Sequence, residues 1–340
     1  MSAAEQKQSS LIKAGAGAVS QAAQIIKDGG LVAFPTETVY GLGANALNGQ
    51  AVARIFAAKE RPDFNPLIVH FHDQDQLPEY VEFNETARLL ASHFWPGPIS
   101  FVLPQVQGCK ISELCSAGLP TLAVRVPAHK IAQSFLKECG VPVAAPSANK
   151  SGRLSPTAPV HVVGSLGNAV DMVLAAGNCE VGLESTVLDL SGAEPVLLRF
   201  GAITAEQISS VLGYDIKVSG THIEGETVKS PGQLLQHYAP SISVRMNAVD
   251  LNPGEALLAF GSDKFMGIKG GGAAKDLPDC SRSNLSETSD LNEAAANLFR
   301  MLHNLDRAEH SAIAVMPIPR MGIGIAINDR LSRAAQSGKS

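Results

Sequence analysis

The sequence is short of the features that build disulfide scaffolds, membrane spans and highly charged surfaces. Its five cysteines, Cys109, Cys115, Cys139, Cys179 and Cys280, are odd in number and contain no C-x-x-C pair, which argues against a disulfide framework and against a structural zinc site. They read as small buried hydrophobes of a reducing compartment. No apolar run approaches the ~18 residues of a spanning helix, and residues 1–10 lack the apolar centre of a signal peptide. A cytoplasmic protein without membrane contact is the expectation. Charged residues make up 17% and the net charge is -5, so no whole-chain basic field exists to hold nucleic acid, and any RNA contact would have to be local. The common nucleotide signatures are absent too. Gly338-Lys339-Ser340 has Arg333 where a P-loop needs its first glycine, and Gly270-Gly271-Gly272 is not a G-x-G-x-x-G. Neither H-E-x-x-H nor G-x-S-x-G occurs.

What is present is apolar material for two cores, with 340 residues of which 45% are hydrophobic. Apolar spacing predicts helices over 17–27, 50–60, 87–94, 129–138, 159–166 and 291–305. It predicts strands over 31–34, 66–71, 99–103, 122–126, 141–145, 172–175, 186–190 and 196–199, then over 242–246, 256–260 and 312–316. Helix and strand alternate at first, but several later strands follow one another directly. That favours an α/β or α+β fold with a mixed sheet over a strictly parallel one. Residues 219–240 hold Gly, Ser, Thr, Pro and charges without periodicity and read as a linker to a smaller α/β domain.

Polar segments follow the apolar strands, where loops on a rigid scaffold carry function. PTETVYGLG, starting at Pro35, offers hydroxyls and glycines that serve either a plain turn or a backbone approach to a ligand. Lys59-Glu60-Arg61-Pro62, with Asn65-Pro66 beyond, ends a helix; its cations are either dipole partners or a polyphosphate clamp. Arg125 and Arg199 interrupt or end apolar strands. A charge there is costly unless paired, so each meets an internal carboxylate or faces a ligand; Arg125 would suit a substrate carboxylate. APSANKSG, from Ala145 and running on to Ser155-Pro156-Thr157, fits either phosphate contacts or ordinary turns and caps. Glu184-Ser185-Thr186-Val187 is similar, and His70 by itself reads as a satisfied core histidine at a strand end.

Taken in order, these segments resemble the YrdC-like domain of threonylcarbamoyl-AMP synthases. The matches are PTETVYGLG at Pro35, KERP and NPL from Lys59, WPGP at Trp95, LAVRVP at Leu122, APSANKSG at Ala145, SPT at Ser155, ESTV at Glu184 and LRFG at Leu198. Many ordered matches, not one motif, give the resemblance its specificity. Ser230-Pro231-Gly232 and His237-Tyr238-Ala239-Pro240 resemble the linker of the family's longer members, and Phe200 stands where the family usually has proline. The resemblance implies a YrdC-like catalytic domain over 12–215, a mixed twisted sheet with helices enclosing a large cavity. It implies a linker over 216–240 and a smaller Rossmann-like α/β domain over 241–335. Carried across motif by motif, it puts Thr38, His70, Arg125, Ala145 and Ser185 around threonine. Arg61, Asn65, Thr121, Ser147, Ser155, Arg199 and Tyr238 would contact ATP, with Lys59 beside the phosphates and Lys59 and Arg61 acting in catalysis. No metal ligands are implied among the side chains.

The implied activity is that of an L-threonylcarbamoyladenylate synthase, a nucleotidyltransferase that makes the precursor of threonylcarbamoyladenosine in tRNA. Threonine, bicarbonate and ATP would be its substrates, Mg2+ would accompany the nucleotide, and tRNA threonylcarbamoyl-transfer proteins would take the product. A weak direct tRNA contact is left open. One alternative is an RNA-binding module of the same fold without adenylating activity, using Lys59, Arg61, Lys150 and Arg153 as a basic groove. Another is a carbamoyl-transfer domain of hydrogenase maturation, a context that normally brings zinc-finger and acylphosphatase-like regions that this chain lacks.

Overall fold

The structure, a computed structural model, describes residues 10–62, 65–219, 238–264 and 266–336. These residues form two compact units. One is built from residues up to 151, 156–179 and 184–219, and the other from 152–155, 180–183 and 238–336.

The first unit runs β1 (Ser10–Lys13), α1 (Ala16–Lys27), β2 (Val32–Phe34), β3 (Gly41–Asn45), α2 (Gly49–Lys59), β4 (Ile68–His70), α3 (Glu85–Phe94), β5 (Ile99–Pro104) and α4 (Glu113–Ser116). It continues through β6 (Thr121–Arg125), α5 (Lys130–Cys139), β7 (Val143–Ala144), α6 (Pro159–Leu166), β8 (Met172–Ala175), β9 (Thr186–Asp189), β10 (Val196–Arg199), α7 (Ala205–Leu212) and β11 (Lys217–Val218). All eleven strands join one mixed sheet in the order β1-β8-β2-β3-β7-β4-β6-β5-β9-β10-β11. The expected mixed sheet is therefore present.

Local chemistry explains most element ends. The Asn48 side chain caps α2 by accepting from the Gln50 and Ala51 N–H groups, and Glu60 closes the same helix in the left-handed region. Thr204 and Gln207 form a capping box at the start of α7, a helix that apolar spacing does not announce. The second half of PTETVYGLG corrects the reading of that segment as a loop. Gly41–Asn45 is a strand, antiparallel to β2, and its glycines are used for packing: a Cβ on Gly43 would lie 3.1 Å from the Phe34 ring.

The register of the central strands sorts their side chains onto two faces. Val69 of β4 is paired with Val124 of β6, and Val124 with Phe101 of β5, all in the main apolar core. On the opposite face, Ile68 pairs with Ala123 and Ala123 with Val102, forming a small apolar floor with Val187. Continuing along that same face, His70 pairs with Arg125 and Ser100 with Val187. The period of two thus brings His70, Arg125 and Ser100 onto one surface. Arg199 reaches it by another route. The β9–β10 pairing is antiparallel through Leu188 and Leu197, then slips, so that Arg199 pairs with Val187 in place of the next core-facing position. A bulge re-aims one side chain in this way.

The second unit holds a parallel sheet of four strands in the order β12-β15-β13-β14, with β12 at Ser243–Arg245, β13 at Ala256–Ala259, β14 at Arg282–Asn284 and β15 at Ala312–Val315. Helix α8 (Leu291–Leu305) buries Ala294, Ala295, Leu298, Phe299, Leu302 and Leu305 at helical spacing, and α9 (Gly324–Gln336) follows β15. Residues 220–237, most of the expected linker, lie outside the described residues. At that segment's start, Lys217 and Val218 pair in parallel with β10.

Gly201, in the LRFG segment, has no room for a side chain: a Cβ would stand 2.2 Å from the Thr186 nitrogen and 2.7 Å from the Ser185 carbonyl carbon. Gly201→Ala is expected to displace the start of β9 and lower unfolding stability by roughly 1–3 kcal/mol. Chemical denaturation checks this; an unchanged midpoint would mean that β9 yields freely.

Candidate active site

The face defined by His70 and Arg125 is closed by the loop after β2. Arg125 ends β6 and is 3% exposed, while Glu37 in the loop is 5% exposed. The Arg125 Nη2 meets Glu37 Oε1 at 2.7 Å, Nη1 donates to Thr38 Oγ1 at 2.9 Å, and Nε donates to the Gly97 carbonyl at 3.2 Å. Of the two readings left open for a strand arginine, Arg125 takes the internal carboxylate. Thr38 Oγ1 lies 2.7 Å from Thr36 Oγ1, which in turn donates to the Val39 carbonyl at 2.6 Å. The chain of hydroxyls fixes the loop against the guanidinium. Gly97 can present its carbonyl because a Cβ there would be 2.0 Å from the Phe94 oxygen.

The ion pair is incomplete on the acidic side. Glu37 Oε2 is buried and has no hydrogen-bond partner among the described residues. A buried carboxylate oxygen left without a donor is costly and marks a place for one. Arg125 has five N–H groups, and three are used in the contacts above.

Beside this group, His70 is buried, with Nδ1 3.2 Å from the Ile68 carbonyl and its ring edge-on to Phe34. Burial first, and then the neighbouring Arg125 charge, push its pKa down to about 3. The imidazole is neutral at physiological pH. Ser185 joins from β9's leading edge. Its hydroxyl lies 2.8 Å from that of Ser100 and accepts from Arg199 Nη2 at 3.0 Å, while Arg199 Nε donates to the Ser185 carbonyl at 3.0 Å. Ala145 is tied to β4 through its N–H and the Ile68 carbonyl at 2.9 Å. Thr121 begins β6 on the same face as Ala123 and Arg125, by the strand's alternation.

The KERP segment forms a second group. Lys59, last residue of α2, is 1% exposed, and its ammonium donates to the carbonyl of Ser147 at 2.5 Å and to that of Asn149. The Ser151 N–H bonds back to the Lys59 carbonyl at 2.8 Å. The APSANKSG loop therefore wraps this lysine, and its ammonium is not a partner for the end of α2. Burial first, then the Arg61 charge, hold the Lys59 pKa well below the ordinary lysine value. Arg61 is buried and donates to the Asn65 and Pro66 carbonyls at 3.3 and 3.0 Å. The Asn65 side chain is 1% exposed, yet neither its Nδ2 nor its Oδ1 has a hydrogen-bond partner among the described residues. A buried amide with neither end answered among the described residues is a further open group of this unit.

Two expected nucleotide contacts belong to the second unit. The Ser155 carbonyl lies 3.2 Å from His303 Nε2. Tyr238 is buried, its ring 5.5 Å from that of Phe299 and 5.4 Å from the Arg330 guanidinium carbon. The sequence reading does not single out Glu37 or Ser100. The signal for Glu37 was Arg125 itself, whose charge in an apolar strand demands a carboxylate. The basic groove of the RNA-binding alternative does not form: Lys59 and Arg61 are buried, and Lys150 pairs with Glu60 at 2.6 Å.

Since the folded-state pKa of His70 lies below the unfolded one, the unfolded chain binds more protons between the two values. Stability then falls with pH from about 6.5 toward about 3, by up to about 1.4 kcal/mol per pH unit for this residue. His70→Asn should flatten that slope relative to the parent when denaturation midpoints are followed across this range. Equal slopes would mean that His70 is not the buried neutral group described.

Residues 24–201 match a family model described as telomere recombination, and residues 203–336 match that of the threonylcarbamoyl-AMP synthase C-terminal domain. The threonylcarbamoyl-AMP synthase of Pyrococcus abyssi is 40% identical over 325 residues, covering 92% of this chain and 93% of that protein. That of Bacillus subtilis is 37% identical over 334 residues, covering 93% and 92%. The crystal structure of P. abyssi Sua5 complexed with L-threonine superposes with a TM-score of 0.85 at 36% identity, covering 97% of this chain and 98% of that one.

Proposed function

The chain belongs to the two-domain threonylcarbamoyl-AMP synthases, and we propose that the Arg125–Glu37–Thr38 group is its threonine seat and the Lys59–Arg61–Asn65 group its nucleotide seat. The enzyme condenses L-threonine, bicarbonate or carbon dioxide, and ATP, releasing pyrophosphate. The threonine ammonium first gives up one proton, and its nitrogen then bonds to the carbon of carbon dioxide and gives up a second, leaving a carbamate. A carbamate oxygen then bonds to the α-phosphorus, the bond from that phosphorus to the bridging oxygen breaks, and pyrophosphate leaves with the electron pair. The nucleophile comes from the substrate, so the protein's task is to orient, neutralise charge and exclude water.

The observation that carries the proposal is the half-satisfied ion pair. Arg125 retains one N–H on each terminal nitrogen beyond the contacts to Glu37, Thr38 and Gly97, which suits the two oxygens of an amino-acid carboxylate. Glu37 Oε2, buried and without a hydrogen-bond partner among the described residues, suits the substrate's ammonium and can accept the proton that the nitrogen must release before it attacks. The neutral His70 and the Ser100–Ser185 hydroxyl pair offer uncharged polar contacts fitted to a side-chain hydroxyl. On the nucleotide side, Lys59, Arg61 and Arg199 supply cations, Ser147 and Thr121 hydroxyls, and Asn65 an amide with both ends open.

Magnesium belongs to the proposal as a companion of the triphosphate. Among the described residues no three His, Cys, Asp or Glu side chains cluster to hold a metal, so the side chains alone do not fit a resident ion. A cytoplasmic setting is also proposed. It is supported by thiols such as Cys115 and Cys139, which are free and which burial pushes up to about 12. The product is a mixed anhydride that hydrolyses readily, which calls for a transfer protein delivering it to tRNA.

Pyrophosphate release with all three substrates, and with each left out in turn, tests the reaction. Arg125→Ala and Glu37→Gln should each lower kcat/KM for threonine by about 10- to 150-fold, the equivalent of one lost charged contact, with the KM for ATP little changed. Folded variants with an unaltered threonine KM would remove this group from the threonine seat.

A further inference from the structure

The second unit contains a cavity of about 720 Å³ that plays no part in the chemistry above. It lies where strands β13 and β14 end side by side: Ala259 and Asn284, their last residues, are register partners in a parallel pair. Both following loops therefore leave from the same edge of the sheet. Ligands of open parallel sheets bind at that carboxyl edge, because the loops there diverge and leave a crevice. Gly261, Ser262, Asp263 and Lys264 of the first loop line one side, with Lys275 further along the same excursion; Arg282 and Asn284 of β14 and then Glu287 line the other.

The walls are braced before any ligand arrives. The Gly261 N–H donates to the Ser286 carbonyl at 2.8 Å, and Asn284 Nδ2 donates to the Gly261 carbonyl at 2.8 Å. Gly261 sits at φ +70, and a Cβ on it would lie 2.6 Å from Ser289 Oγ, so the turn off β13 has to be glycine. Asp263 spans the cavity to Arg282, its Oδ2 at 2.6 Å from both Nε and Nη2. That pair consumes one of the two carboxylates. Lys264 and Lys275 have no acidic partner among the described residues and, with Ser262, remain as donors. No apolar residue is among the described lining residues.

A cavity whose described lining sets Lys264, Lys275, Arg282 and the Ser262 hydroxyl against the carboxylates of Asp263 and Glu287 carries an excess of positive charge and selects a small, acceptor-rich anion. We propose that this cavity binds a small phosphate-bearing anion, held chiefly by Lys264 and Lys275, with Arg282 aligned by Asp263. Lysines act as point charges for phosphate oxygens, and two of them without acids of their own match a dianion better than a monocarboxylate. The same chemistry is offered by inorganic phosphate, by the pyrophosphate that the reaction releases and by the phosphate tail of a nucleotide.

Hydrogen-exchange mass spectrometry on the full chain, titrated separately with inorganic phosphate, pyrophosphate and ATP, locates the binding. Peptides spanning 257–287 should gain protection with at least one of these anions, and the anion effective at lowest concentration identifies the source. In the double variant Lys264→Ala, Lys275→Ala the apparent affinity read from those peptides should fall at least about tenfold, while Lys264→Arg, Lys275→Arg retains it. Pyrophosphate formation at saturating substrates should be unchanged in the double alanine variant, since neither lysine belongs to the threonine or nucleotide seat. Protection in the first unit with ATP reports separately on the proposed nucleotide seat, so its absence would count against that seat and not against this one. No protection of 257–287 with any of the three anions, or equal protection in the double alanine variant, overturns the proposal.

Discussion

A guanidinium buried at the end of a central strand cannot stand alone, and the first unit is organised by how Arg125 is satisfied. Removing two ions from water costs several kcal/mol each, so Arg125 and Glu37 hold together only with supporting bonds. These come from Thr38 and from the Gly97 carbonyl. Each support ties Arg125, the last residue of β6, to a different piece of chain: the loop after β2 and the turn before β5. Losing either charge would leave the other buried and uncompensated, at about 3–5 kcal/mol, so the pair locks the geometry of the face it sits on. Its geometry is nonetheless unfinished, because the second oxygen of Glu37 has no partner among the described residues. In the proposed threonine seat, stability and substrate recognition would be two uses of one ion pair.

The same logic holds for Lys59. An ammonium almost wholly buried at a helix end is tolerated because two carbonyls of the APSANKSG loop receive it. Those carbonyls carry partial charges only, and with Arg61 close by the cost of keeping the lysine charged remains high, which is why its proton is held less tightly than usual. In the proposed nucleotide seat, buried cations and the Asn65 amide would take the place that a nucleophile and base hold in hydrolases. The sheet face thus contains no serine–histidine pair set up for proton relay: His70 is turned to backbone carbonyls and is neutral.

The second unit follows a different plan. Its sheet is fully parallel, so its strand ends gather on one edge and make a crevice by topology alone. In the mixed sheet of the first unit, the site lies instead on a face between strand ends and loops. The two units of one chain therefore gather polar groups for different structural reasons, by side-chain alternation on a sheet face in the first and by chain reversal at a sheet edge in the second.

Sequence by itself determined the elements whose signal is local. The stripe of α8, the apolar runs of β5 and β6, and the ordered motifs from Pro35 to Gly201 were legible because helical and strand periods and motif spacing are properties of neighbouring residues. It also showed that a charge inside Thr121–Arg125 had to be answered. Tertiary structure alone decided by what. Glu37 is 88 residues from Arg125, and strand pairing, which brings such residues together, leaves no mark in either segment. The placement of Arg199 depended on a slip in pairing with β9, which a count of two residues per repeat predicts onto the wrong face. Gly41–Asn45 became a strand because Phe34 needed small neighbours, not because five residues with two glycines favour one. Asn65 and Glu37 were revealed as open by burial, a quantity that exists only once the chain has folded around them.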